Sequence, residues 1–167
     1  GVSLLLIMCT CFSCQPSSEV LMTEVLVIGG GTSGTPAAIQ AARMGAKVIL
    51  IEETPWLGGM LTAAGVGATD GNHRLPSGLW GEFRDKLYAH YGGPDSVFTG
   101  WVSNTLFEPQ IGNRFWNELA DAEPSLTRLH GYSIKHVLRV GNQLTGATLE
   151  SVVKERLTIN AAILIEA

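Results

Sequence analysis

Apolar positions along the chain change texture three times, and each texture predicts a different kind of element. From Glu24 to Ile28 a run that is apolar and largely β-branched after its first residue fits a strand covered on both faces. Ser33 to Met44 predicts a helix that turns the small residues Ala38 and Ala41 toward the strands, and Gly45 ends it. Lys47 to Ile51 is a second apolar strand, finishing at Glu52. Farther on, Leu79, Phe83, Leu87 and Tyr91 recur at helical spacing, with Ser77 placed to cap the helix and Gly92-Gly93-Pro94 to stop it. An irregular stretch from Asp95 to Leu106 leads to a helix from Pro109 to Ala122, where proline suits the first turn and Phe115, Trp116 and Leu119 pack. Beyond Pro124 the pattern alternates. Leu126 to His130, Ser133 to Val140, Leu144 to Val153 (after the turn Gly141-Asn142-Gln143) and Arg156 to Ile159 read as an antiparallel meander, and Ala161 to Ala167 as a final buried strand.

The first strand runs into Gly29-Gly30-Gly31-Thr32-Ser33-Gly34, a G-x-G-x-x-G spacing on Gly29, Gly31 and Gly34. Gly29 permits the tight turn, Gly31 lets a pyrophosphate approach the backbone, and Gly34 lets the helix lie against the sheet. The helix then presents free amides, from the turn containing Thr32 and Ser33, to the phosphates. Glu52, 18 residues past Gly34, is placed to accept hydrogen bonds from an adenosine ribose, and its charge disfavours the 2′-phosphate of NADP. Such a glycine turn alone also describes an ordinary strand-to-helix loop. Here strand, glycines, helix, second strand and terminal acid agree, so the expected fold is α/β, a three-layer Rossmann-type FAD/NAD(P)-binding domain with an inserted antiparallel β-meander. Which dinucleotide it takes stays open at this point.

Composition narrows the partners. The chain has 167 residues, is 46% apolar and carries a net charge of −4 without any Lys/Arg cluster, so nucleic acid is excluded as an expected partner. All three cysteines, Cys9, Cys11 and Cys14, fall near the start; the remainder has no redox dithiol, which argues against a flavin disulfide reductase, and no metal site is expected. Residues 1–22 read as a leader. Val2 to Met8 is too short an apolar run for a membrane span, and with Phe12-Ser13-Cys14 and the polar residues after it, it resembles a bacterial lipoprotein signal. That resemblance implies export to the periplasm or a membrane-anchored lipoprotein lipidated at Cys14, although no basic segment precedes Val2. Residues 23–167 are then the folded unit.

After Glu52 and Glu53 comes Trp56-Leu57-Gly58-Gly59-Met60-Leu61-Thr62-Ala63-Ala64-Gly65-Val66-Gly67, rich in small residues that suit backbone lying against a flat ligand. With the GGGTSGTPAAIQAARMGAKVILIEE run and the later SGLWGEFRDKLYAHYGG and GWVSNTLFEP segments, this loop resembles the N-terminal FAD-binding part of the FAD-dependent oxidoreductase family, within the glutathione-reductase-like flavoproteins. The resemblance implies FAD held by Gly29, Gly31, Thr32, Ser33, Gly34, Glu52, Glu53, Gly58, Gly59 and Met60, with Gly58-Gly59 near the pyrophosphate and ribityl chain. In related succinate dehydrogenase and fumarate reductase flavoproteins a histidine near this loop carries the flavin covalently. Met60 and Leu61 stand there instead, which implies non-covalent FAD and hydride transfer with a small-molecule substrate. His73 and His90 are the titratable candidates nearest the expected site, neither assigned a catalytic role, while His130 and His136 read as exposed strand positions. In the family the last strand continues into a further flavin-contacting turn and a substrate domain, so the expectation is an N-terminal portion, C-terminally truncated. The alternatives are an NAD-binding dehydrogenase domain and a non-catalytic, lipid-anchored nucleotide-binding protein.

Overall fold

The computed structural model describes residues 19–70, 74–101 and 103–167. The cysteine-bearing leader through Cys14, and His73, lie outside the described residues. Strand β1 (Glu19–Ile28) enters the glycine turn and helix α1 (Gly34–Arg43), and β2 (Val48–Glu52) follows. The two-residue β3 (Ala68–Thr69), α2 (Gly78–Tyr91), the two-residue β4 (Thr105–Leu106) and α3 (Pro109–Asp121) come next. The chain then runs through β5 (Leu126–His130), β6 (Tyr132–Val140), β7 (Gln143–Ser151) and β8 (Arg156–Glu166). The main sheet has the order β5-β2-β1-β8-β7-β6, and β3 and β4 pair separately.

Strand pairing and exposure revise four expectations. β5 is not part of the meander: it lies parallel to β2, Val48 opposite Leu126 through Glu52 opposite His130, and so extends the nucleotide sheet. Arg156–Ile159 and the final apolar run are one strand, not two. β8 pairs parallel with β1 from Glu19–Leu157 to Ile28–Glu166, while its first half also pairs antiparallel with β7. The end of that strand is also less covered than a buried strand would be, with Ile163 55% exposed. β1 begins at Glu19, so residues 19–22, assigned above to the leader, take part in the sheet.

Two cores explain the layers. On one face Val25, Val27, Val48 and Leu50 meet Ala38, Ile39 and Ala42 of α1 together with Phe83 and Leu87 of α2 and Trp116 of α3. On the other, Leu26, Ile49 and Ile51 pack against Ala147, Leu149, Leu157 and Ile159, so the meander covers the sheet's second face. Helices, parallel sheet and meander are therefore the three layers expected. In α1 the buried small residues are Ala38 and Ala42, and Ala41 is half-buried, because the stripe turns toward β1 and β2 by one position. Phe83, fully buried, stacks on Trp116 at 4.5 Å and meets Phe107 edge-on at 5.5 Å, tying α2 to α3. Ser77 holds the cap position of α2 without a side-chain hydrogen bond, and Gly92 ends it with φ +86°.

Candidate functional site

The glycine turn lies at the carboxyl ends of β1, β2 and β8, where open α/β sheets bind ligands. Gly29 has φ +98°, and a Cβ there would sit 2.0 Å from the carbonyl oxygen of Ala167. At Gly34 a Cβ would sit 1.8 Å from the Gly29 carbonyl oxygen, so α1 can start this close to the strand only on glycine. Gly31 differs from both. A Cβ on it meets nothing within 4 Å, so nothing in the protein's own packing demands glycine at that position. Thr32 and Ser33 beside it are exposed, at the head of a helix whose first amides have no intrahelical acceptors.

Gly30, read in the sequence as the variable position of the motif, is the best-connected residue of the turn. Its N–H donates to Glu52 Oε2 at 2.7 Å, and its carbonyl accepts from Gly58 N at 2.8 Å and from the buried Thr35 hydroxyl at 2.7 Å. A Cβ on it would lie 3.0 Å from both Glu52 Oε2 and the Leu57 side chain. Through this one peptide β1, β2, α1 and the second glycine pair are locked together. Gly58 (φ +102°) and Gly59 (φ +50°) open a 3-10 turn, and a Cβ on Gly59 would lie 2.8 Å from Gly31 Cα. The second glycine pair therefore rests directly on the first glycine turn. Met60, next in line, is 64% exposed.

Glu52 is half-buried, and both its oxygens are occupied by backbone: Oε2 by Gly30 N, and Oε1 by Thr54 N at 2.8 Å. Each oxygen keeps a further lone pair, so the carboxylate is fixed and still able to accept ribose hydroxyls. Glu52, Glu53 and Thr54 line a cleft of about 370 Å³ with Ile28, Gly29, Ile51, Tyr132, Ile134, Glu166 and Ala167. On the far side of the Glu52–Gly59 loop, Thr54, Pro55, Trp56, Thr62, Ala63, Gly65, Pro109 and Gln110 line a second hollow of about 530 Å³.

Two of the histidines, His90 and His130, are placed otherwise than expected, while His136 is the exposed strand position that the sequence suggested. His90 stands near Arg114 (Nη2 to Nδ1 3.3 Å) and edge-on to Tyr91 and Phe115, contacts along α2 and α3 and away from the glycine turn, so it is no longer a candidate base. His130 is not an exposed strand position: it is half-buried at the end of β5 with Nδ1 2.8 Å from the Thr54 carbonyl oxygen. His136 is exposed on β6. The roles of Gly30 and His130 were not legible in the sequence because Glu52 and Thr54, which they bond, lie 22 and 76 residues away, whereas the Thr35 hydroxyl and the Thr54 amide bond neighbours within five residues and carried no motif; the one available signal was the third consecutive glycine.

The fit to FAD rests on this geometry: an open approach to Gly31, the amides of Thr32, Ser33 and Gly34 ahead of the first backbone bond from Thr35 N to Gly31 O, a fixed carboxylate acceptor and a second glycine turn stacked on the first. Comparison with known proteins agrees. A profile described as FAD dependent oxidoreductase matches residues 24–167. The alpha subunit of sarcosine oxidase from Corynebacterium sp. (strain U-96) is 47% identical over 49 residues, 29% of this chain and 5% of that protein. A probable fumarate reductase of Shewanella frigidimarina (strain NCIMB 400) is 37% identical over 59 residues, 34% of this chain and 10% of that one. Among solved structures, a flavoprotein/dehydrogenase from Cytophaga hutchinsonii superposes with TM-score 0.60 at 18% identity, covering 87% of this chain and 38% of that one. An E. coli quinol fumarate reductase carrying one substitution does so with TM-score 0.58 at 15% identity, covering 89% and 33%. The chain thus spans a tenth or less of these curated relatives and under two-fifths of these structures. With the family profile covering residues 24–167, including both glycine turns and Glu52, the chain belongs to the FAD-dependent oxidoreductase family, whose cofactor is FAD.

Proposed function

We propose that this chain is the cofactor-binding part of an oxidoreductase that holds FAD without a covalent bond and passes hydride between the flavin and a small-molecule substrate. The observation that carries the reading is the seating of Gly59 on Gly31, with the Gly58 N–H bonded to Gly30 and the Glu52 carboxylate bonded to the same residue. When bound, FAD supplies a two-electron carrier able to accept hydride from carbon or nitrogen substrates. The chain's own residues bind and orient. The amides after Gly31 hold the pyrophosphate, Glu52 takes the ribose hydroxyls, and the turn at Gly58-Gly59 closes over the cofactor's phosphate side. Met60 and Leu61 offer no nucleophile for a flavin linkage, which supports non-covalent attachment. The test is the visible spectrum of the purified chain after loading with FAD. A flavin band released to the supernatant by acid precipitation is expected; a protein that takes up no flavin overturns the proposal, and a pellet that stays yellow overturns the non-covalent part.

The short apolar segment ending at Cys14 supports export and lipid anchoring in a bacterial envelope. Incorporation of labelled fatty acid into the wild-type chain, lost in Cys14→Ser, is the expected result; equal labelling of both refutes it.

A further inference from the structure

We propose that His130 is a positioning residue for Glu52, acting through the Thr54 carbonyl. The inference rests on the FAD-binding reading above and adds to it a residue outside the glycine motifs. The backbone pairing sets the juxtaposition: β5 runs parallel to β2 with His130 opposite Glu52, and the next residue, Gly131, donates its N–H to the Glu52 carbonyl at 2.8 Å. The imidazole reaches across the end of β2 to the Thr54 carbonyl oxygen, 2.8 Å from Nδ1. A carbonyl oxygen only accepts, so Nδ1 is the ring atom that carries the proton. Thr54 is held on its other sides as well. Its N–H donates to Glu52 Oε1 at 2.8 Å, and its hydroxyl donates to the Trp56 carbonyl at 2.9 Å and accepts from Trp56 N at 3.2 Å.

This arrangement couples a ring on β5 to a carboxylate on β2. With the Thr54 carbonyl anchored, its amide is held on Oε1 while Gly30 holds Oε2, and the carboxylate has one orientation left. Release of the carbonyl frees the turn after Glu52, and the carboxylate then depends on Gly30 alone. Ribose recognition needs both oxygens presented together, so the loss falls on affinity for the adenosine half of the cofactor.

The test is a set of variants in the full chain, read by FAD titration, thermal melting and hydrogen exchange of the Thr54 amide in the ligand-free protein. His130→Asn keeps an N–H at the Nδ1 position and is expected to bind FAD within about twofold of wild type. His130→Leu and His130→Gln, which remove or displace the donor, are expected to weaken FAD roughly 5- to 10-fold, a range on the scale of one lost hydrogen bond, and to speed Thr54 exchange. Because the effect runs through Glu52, the double variant Glu52→Gln with His130→Leu is expected to bind no worse than Glu52→Gln alone; a simple structural tether would give additive losses. FAD affinity equal to wild type in both His130→Leu and His130→Gln, or additive losses in the double variant, overturns the inference. If His130→Leu does not fold, the contrast between the Asn and Gln variants decides. Failure of the wild-type chain to bind FAD refutes the cofactor reading instead, and the Thr54 exchange rate then judges the His130 tether by itself.

Discussion

Gly31 and Gly34 are both glycines of the same motif, yet the structure assigns them different duties, and alanine at each separates binding from folding. At Gly34 a methyl carbon would lie 1.8 Å from the Gly29 carbonyl oxygen, where ordinary contact begins near 3.4 Å, so α1 must back away from β1 by about 1.6 Å. Overpacking of a close-fitted core costs about 1–3 kcal/mol, and for a chain of this size each kcal/mol lowers the melting temperature by roughly 2–4 °C. Gly34→Ala is thus expected to melt roughly 2–12 °C below wild type. At Gly31 the same methyl meets nothing within 4 Å and its φ is not in the left-handed region. Ligand-free Gly31→Ala is therefore expected to be as stable as wild type, or more stable by up to about 1 kcal/mol through the narrower unfolded ensemble. Its methyl occupies the approach of the pyrophosphate to the backbone, and one lost charge-assisted hydrogen bond, about 1.5–3 kcal/mol, corresponds to FAD binding weaker by about 10- to 100-fold. Thermal melts of the ligand-free chains and flavin-fluorescence titrations measure the two quantities separately. Gly31→Ala binding FAD like wild type would refute the assignment of the open space above Gly31 to the cofactor. A Gly34→Ala protein that melts with wild type would refute the steric reading.

Two further outcomes follow from the packing around α2. Arg43 on α1 forms paired hydrogen bonds to Glu82 (2.6 and 2.9 Å) and a third bond to Glu123 (2.7 Å), and the guanidinium bond holds the Glu82 carboxyl below its ordinary 4.5, while Arg43 is raised in turn. A depressed carboxylate contributes stability above its unfolded pKa and loses it as pH falls through the folded value, so the difference between wild type and Glu82→Gln should be constant near neutrality, begin to shrink as pH falls past the ordinary 4.5 and vanish once pH lies below the lowered folded value. With Glu82 43% exposed the pair contributes under about 1 kcal/mol and fades in high salt; a melt difference unchanged by molar salt would contradict it. Phe83→Ala removes a fully buried ring between Trp116 and Phe107 and should cost about 3–5 kcal/mol in denaturant unfolding; a loss under 1 kcal/mol would mean that α2 and α3 do not pack as described.

What the sequence determined by itself is the part governed by local sterics. A strand ending in Gly29, a helix starting at Gly34, a helix stop at Gly45 and an acid closing the second strand are each set by the backbone freedom or charge of residues within a few positions, and each stands where the spacing predicted. Helices α2 and α3 were equally legible, since the recurrence of Leu79, Phe83 and Leu87 needs no knowledge of what they pack against. Pairing direction is another matter. Leu126 to His130 looks alike beside a parallel or an antiparallel neighbour, and it is the return through helix α3 to the edge of β2 that lays it parallel; a similar non-local pairing merged Arg156–Glu166 into a strand shared by the nucleotide sheet and the meander. The site divides in the same way. Gly59 resting on Gly31, 28 residues earlier, and His130 bonded to Thr54, 76 residues earlier, depend on contacts between segments that no local pattern encodes. The glycine motif marked the turn, and the tertiary structure decided which backbone groups bond the Glu52 carboxylate and which histidine bonds the carbonyl of Thr54.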